Sequence, residues 1–137
     1  MNQTDFKALK LKTASLLILD DGNIQSQLYN ITKTRDSYLQ VFVYENKLLR
    51  KLQIKRDEKR GELVEYFKFQ ASRRWEKTAE IESQINRDSS YTQILSEIED
   101  QQEVVTYLEQ TLESFKQLSF QINNHINWTK FQNGVDK

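Results

Sequence analysis

Residues 24–66, IQSQLYNITKTRDSYLQVFVYENKLLRKLQIKRDEKRGELVEY, carry the pattern that decides the fold. Alternating steps of four and three residues connect Ile24, Leu28, Ile31, Arg35, Tyr38, Phe42, Glu45, Leu49, Leu52, Arg56, Lys59, Leu63 and Tyr66. This is the heptad spacing of a helix that buries one stripe of side chains. The stripe is flanked by Val41, Val43, Leu48 and Ile54. An apolar face of that width favours a helix bundle or an oligomer over a bare two-stranded coil.

A second segment near the carboxyl end repeats the heptad steps. Its positions are Ile94, Ile98, Gln101, Val105, Leu108, Leu112, Phe115, Ser119, Ile122 and Ile126. Together the two segments predict long helices over about 24–69 and 90–132, with Gly134 ending the second. Between them we expect a break at Phe69–Ser72, a short helix over about 73–85 and a turn at residues 86–90.

The chain composition favours an all-α fold. The 137 residues contain no proline and three glycines, and both residue types interrupt helices. We therefore predict long heptad-bearing helices in a hairpin-like protomer. Residues 1–22 would form an N-terminal arm or short helix, residues 23–134 one helical domain, and residues 135–137 a tail.

A thin protomer of this kind exposes much apolar surface, so self-association is expected. The predicted oligomer interface is the second heptad stripe and its neighbour Phe120: Val105, Leu108, Leu112, Phe115, Phe120, Ile122 and Ile126.

The sequence argues against enzymatic chemistry, a metal site and a cofactor. It contains no cysteine and one histidine, His125, whose neighbours Asn124 and Asn127 are poor metal ligands. It also has no glycine-rich loop to hold phosphates. The apolar run Ala14–Leu19 is too short to span a bilayer, and we expect no membrane association.

Charge is segregated along a chain whose formal net charge is zero. Residues 47–77 carry eleven basic and five acidic side chains, whereas residues 80–113 carry nine acids and one arginine. Cations interleaved with aromatic rings suit single-stranded nucleic acid, whose phosphates and bases are both accessible. Tyr66 belongs to the heptad stripe, so Phe67, Phe69 and Trp75 are the better stacking candidates. The predicted nucleic-acid-binding residues are Lys55, Arg56, Lys59, Arg60, Phe67, Lys68, Phe69, Arg73, Arg74, Trp75 and Lys77.

An alternative remains open for the basic segment. Charged heptad helices commonly have a solvated face whose aliphatic stems cover apolar surface. On this interpretation the protein is a coiled-coil scaffold or phage assembly protein that does not bind nucleic acid.

The C-terminal segment 119–134, SFQINNHINWTKFQNG, resembles the signature that ends the recombination mediator proteins of tailed phages, the UvsY family. That signature has an aromatic residue, an isoleucine two positions later, an isoleucine–aromatic pair, Lys-Phe and a final glycine. The run Val104–Glu109 and the sequence Arg74–Lys77, which precedes a turn containing Asp88, are also similar to the family. The resemblance covers about residues 24–134.

Membership of this family implies a non-enzymatic protein that forms a closed hexameric or heptameric helical ring. It would bind single-stranded DNA and help a phage RecA-like recombinase load onto strands covered by single-strand binding protein, contacting both proteins, in the cytoplasm of the infected bacterial host. The family usually has a basic motif directly before an aromatic pair, followed by a glycine-containing loop. Here residues 59–67, KRGELVEYF, occupy that place, and no glycine loop follows. DNA binding would therefore be carried by Arg56, Lys59 and Arg60, with Arg73, Arg74 and Lys77 in support.

Overall fold

The computed structural model describes residues 1–20, 22–71 and 75–134. Four α-helices follow one another along the chain: α1 Gln3–Leu16, α2 Ile24–Glu65, α3 Thr78–Arg87 and α4 Ser89–Gln132. A π-helical turn, Tyr66–Gln70, continues directly from α2. The described residues contain no strand, and the all-α prediction is confirmed.

The helices are divided between two compact units. The first unit comprises Met1–Tyr44 and Val104–Lys137, and the second comprises Glu45–Glu103. α2 and α4 therefore contribute to both units, while α1 belongs to the first and α3 to the second.

The core of the first unit joins three helices. Phe6 of α1, Tyr38 of α2 and Phe115 of α4 are all buried in one apolar cluster. The Tyr38 and Phe115 rings meet edge to face, with their centroids 5.0 Å apart. The Tyr38 hydroxyl is hydrogen-bonded to the buried Thr13 hydroxyl of α1 at 2.9 Å. This bond satisfies two polar groups that would be costly to bury unpaired.

The expectation that the second heptad stripe is exposed in a single chain is wrong. Leu108, Phe115 and Ile122 are fully buried and Val105 nearly so. Leu112 and Ile126 are partly buried against the same cluster. The reason is that α1 and α2 both pack against this stripe: Phe6, Ile31 and Tyr38 belong to the same buried cluster, and the heptad pattern does not reveal the contribution of α1. Of the predicted interface residues, Phe120 keeps most of its surface exposed, at 58%.

The second unit has its own apolar cluster and a buried polar pair. Leu63 of α2, Ile81 and Ile85 of α3 and Tyr91 of α4 form the cluster. Elsewhere in this unit, Gln101 Nε2 donates hydrogen bonds to the Glu45 backbone carbonyl at 2.8 Å and to Glu45 Oε2 at 2.7 Å. Both side chains are buried, and both occupy predicted stripe positions.

α3 and α4 are separated by a single residue rather than by the predicted turn over residues 86–90. That residue, Asp88, has an extended backbone, and its Oδ1 accepts a hydrogen bond from the Tyr91 amide at 2.9 Å. A carboxylate at this position satisfies an amide of the first turn of α4 and interacts favourably with the helix dipole. The cap thus begins α4 while Tyr91 packs in the core of the second unit.

Replacing Asp88 by alanine should lower the free energy of unfolding by about 1 kcal/mol, because the Tyr91 amide loses its side-chain acceptor. Urea denaturation followed by circular dichroism measures the change. Asp88→Asn should retain most of the stability because asparagine also caps well. Glu113→Ala, which removes an exposed carboxylate within α4, is the matched control, and an Asp88→Ala effect no larger than the control's would contradict the capping role.

Candidate nucleic-acid interface

The candidate surface is centred on the π-helical turn that follows α2. The Ala71 amide donates to the Tyr66 carbonyl at 2.9 Å, a step of five residues. A π-helical turn widens the helix and shifts the direction of the side chains that follow, and such turns are frequent at functional sites. The heptad register of α2 therefore does not extend through this turn.

This shift reverses the expected roles of two adjacent aromatic residues. Tyr66, predicted to continue the buried stripe, is 45% exposed. Phe67, predicted to be available for stacking, is partly buried against the apolar cluster of the second unit. Their rings meet edge to face at 5.2 Å. The exposure expected of each side chain was wrong, because the heptad pattern continues an α-helical period across π-helical backbone.

Phe69 is the aromatic residue of this region with the most open ring, 67% exposed. Together with Lys68, Trp75 and Glu76 it lines an open groove of about 310 Å³. Trp75 also packs partly against the core cluster, so it is anchored rather than free. The groove thus combines an exposed ring, an anchored indole and one cation.

Trp75 does not lie in a first helical turn, contrary to the sequence prediction. Its amide donates to the Phe67 carbonyl at 3.1 Å, and residues 75–77 are not helical. This bond and the packing of the indole hold the segment against the π-helical turn, so α3 begins later, at Thr78. Lys77 is exposed, and its carbonyl accepts hydrogen bonds from the Glu80 and Ile81 amides in the first turn of α3. Arg73, Arg74 and Ser72, the last residue of the predicted break, lie outside the described residues.

The four predicted cations of α2 differ in their surroundings. Lys55 is exposed, whereas Arg56 donates to the adjacent Asp57 at 3.1 Å and Lys59 lies 3.9 Å from the Glu62 carboxylate. Ion pairs at the surface contribute little free energy, about 0–1 kcal/mol, so a phosphate can replace either acid. These three side chains remain candidates for phosphate contact.

Arg60 has a different role from its neighbours. Its guanidinium pairs with Glu82 of α3, and a hydrogen bond to the Tyr91 side chain, followed by the charge of Glu82, raises the pKa of Arg60 above its usual value. Arg60 therefore connects α2 with α3 and α4 inside the second unit. Its substitution would disturb packing as well as any DNA contact.

Sequence reasoning missed a second exposed aromatic group, in the first unit. Trp128 and Phe131 stack at 5.8 Å near the end of α4, and more than half of each side chain is exposed. The sequence feature that could have pointed to this pair is the lack of any acidic side chain in residues 114–134. The pair belongs to the segment that resembles the mediator signature.

Within residues 1–20, 22–71 and 75–134, no cluster of three histidine, cysteine, aspartate or glutamate side chains could hold a metal ion. No helix in those ranges is long and apolar enough to cross a membrane.

Cations and an open aromatic ring on a helical scaffold define a class of protein that binds a polyanion with exposed flat bases. The family described as "Recombination, repair and ssDNA binding protein UvsY" matches residues 14–135. The chain therefore belongs to the UvsY family, as its C-terminal signature indicated.

Solved structures support the fold. Two crystal structures of the bacteriophage T4 recombination mediator protein UvsY, in lattice types II and IV, are similar to this chain with TM-scores of 0.82 and 0.80. Each is 12% identical in sequence; the first match covers 97% of this chain and 98% of the T4 protein, and the second covers 93% and 98%. No curated protein matches the sequence.

Proposed function

We propose that this protein is a recombination mediator that binds single-stranded DNA through the second unit. It promotes loading of a phage RecA-like recombinase onto strands covered by single-strand binding protein, in homologous recombination, recombination-dependent replication and repair. It acts by binding rather than by catalysis, as a hexamer or heptamer in the cytoplasm of the infected host. Family membership and the surface at the end of α2 support this proposal.

The observation that carries the proposal is the exposed Phe69 ring, which lines one groove with Lys68 and the anchored Trp75. Aromatic stacking of an unpaired base contributes about 1–3 kcal/mol and tolerates any base. Lys55, Arg56, Lys59, Lys68 and Lys77 would neutralise phosphates on either side of the stacked base. Each neutralised phosphate releases condensed counterions, which makes binding dependent on salt.

Oligomerisation would increase the effect of these few contacts per chain. Identical subunits along one strand convert later contacts into intramolecular ones, and avidity rises without new interactions. This explains how a chain with zero net charge could hold a polyanion. Displacement of single-strand binding protein requires strong contacts with the strand.

Replacing both Lys68 and Phe69 by alanine should weaken binding to single-stranded DNA. Loss of one stacking contact lowers the affinity of each subunit roughly 5–150-fold. Loss of one phosphate contact reduces the slope of log affinity against log salt by about 0.7. Fluorescence anisotropy with a labelled oligonucleotide, titrated at several salt concentrations, measures both quantities.

The matched control replaces Tyr29 and Lys33 by alanine. Both residues are exposed on α2 in the first unit, where the Lys33 ammonium lies over the Tyr29 ring, and Tyr29 is 64% exposed, close to the 67% of Phe69. Circular dichroism should show unchanged helicity in both variants. Equal affinity of the Lys68/Phe69 variant and the wild type would overturn the site, and a wild type that binds no single strand at low salt would favour the scaffold alternative.

The mediator step is tested by following recombinase assembly on strands precoated with single-strand binding protein, which the Lys68/Phe69 variant should accelerate less than the control.

A further inference from the structure

The outer face of α2 in the second unit is basic and ends in an exposed apolar side chain. Lys47, Arg50 and Lys51 are exposed, and so is Ile54 at 57%. At 100° per residue, these positions lie on the side of α2 opposite the buried residues Glu45 and Leu49. None of the four belongs to the surface proposed for DNA, which begins at Lys55.

The outer face of α4 in the same unit has the opposite charge. Glu99 and Asp100 are exposed, and Leu95, one turn before Glu99, is 37% exposed. Within the described ranges, no ion pair connects these two acids with Lys47, Arg50 or Lys51. Each face therefore offers one apolar side chain and a group of like charges.

The geometry points to a contact between two copies of this chain: we propose that the outer face of α2 of one copy docks against the outer face of α4 of another. In α2 the cations precede the apolar residue, whereas in α4 the apolar residue precedes the acids. Antiparallel alignment thus places Ile54 against Leu95 and the basic group against Glu99 and Asp100. Lys47 to Ile54 spans about 10 Å of helix, and Leu95 to Asp100 spans about 8 Å.

Charge complementarity selects a second copy as the occupant. The basic face would also attract DNA. However, Ile54 at its end is not part of the surface proposed for DNA, and antiparallel alignment of the two helices places Ile54 against Leu95. Opposite charges across an interface set register and partner choice more than affinity. The contact is heterologous, since different faces meet, and such contacts can close into a ring. This inference rests on the proposed homo-oligomer and specifies the faces that form it.

A charge-swap experiment without DNA tests the contact. The basic-face variant carries Lys47→Glu and Arg50→Glu, and the acidic-face variant carries Glu99→Lys and Asp100→Lys. In each variant like charges oppose one another, so analytical ultracentrifugation at about 0.1 M salt should show smaller species than the wild type. An equimolar mixture should regain larger species, because the changed face of one variant complements the changed face of the other.

The control carries Lys12→Glu and Lys116→Glu, which make the same charge change at exposed positions of the first unit, and it should sediment like the wild type. Two neutral variants, Lys47→Gln with Arg50→Gln and Glu99→Gln with Asp100→Gln, remove the attraction without introducing repulsion. Their sedimentation should be intermediate between the wild type and the charge reversals. The contact is refuted if either charge reversal assembles like the wild type. It is also refuted if the mixture does not regain larger species while both variants keep native helicity. A wild type that is monomeric at about micromolar concentration would refute it as well. Because no DNA is present, these outcomes are independent of whether Phe69 stacks a base.

Discussion

Replacement of Phe115 by alanine is expected to lower the free energy of unfolding by about 3–5 kcal/mol. Phe115 is fully buried, and its ring meets Tyr38 edge to face at the centre of the first unit's core. Truncation removes the transfer free energy of the ring, the aromatic contact and the packing around a new cavity. Small domains are stable by only 5–15 kcal/mol, so this variant should be severely destabilised.

Urea denaturation of both proteins measures the difference. Phe120→Ala is the matched control, because it removes the same side chain from the same helix at a position that is 58% exposed. Its effect should remain within about 0.5 kcal/mol. Similar losses in the two variants would mean that the second heptad stripe is not buried within one chain. Greater stability of Phe115→Ala at higher protein concentration would indicate burial between chains instead.

The heptad spacing predicted the two long helices because burial of one stripe imposes a period close to that of the α-helix. Ile31 and Tyr38 in α2, and Leu108 and Phe115 in α4, are all buried as the pattern requires. The pattern also placed the polar residues Glu45 and Gln101 on the buried stripes. It could not show that they bond to each other, because a spacing along one helix contains no information about register against another.

The candidate site was less predictable, for a local and a tertiary reason. The local reason is the π-helical turn, which exchanges the environments of Tyr66 and Phe67. The tertiary reason is the packing of α3 and α4 against α2. The sequence does not show that Arg60 pairs with Glu82 and Tyr91, which lie far from it along the chain. In the same way, the sequence pattern does not show that Phe6 of α1 joins the cluster that buries the long stripe of α4.

The basic residues of the segment 47–77 lie in different environments. Arg60 was among the leading DNA contacts in the sequence interpretation, but the structure gives it an internal partner. Lys47, Arg50 and Lys51 lie on a separate, outward face. The basic segment therefore has three parts: the outward face proposed for self-association, Arg60 in internal packing, and the proposed single-strand contact at the π-helical turn.

Gln101→Leu is expected to destabilise the second unit by about 1–3 kcal/mol. Gln101 is 8% exposed and Glu45 3% exposed, and the glutamine amide donates to both Glu45 oxygens described above. Leucine would leave the buried Glu45 carboxyl without this donor, and a buried polar atom without its partner costs its full desolvation free energy. The added apolar surface offsets only part of that cost.

The double variant Glu45→Leu with Gln101→Leu should be more stable than Gln101→Leu alone, because it also removes the carboxyl that loses its Gln101 donor. Urea denaturation of the wild type, both single variants and the double variant completes a double-mutant cycle. Gln117→Leu, at an exposed position of α4, controls for the added apolar side chain. Additive single effects would show that the two residues are not coupled. A coupling of about 1 kcal/mol or more would show that this pair sets the register of α2 against α4 in the second unit, and hence which side chains of α2 face outward.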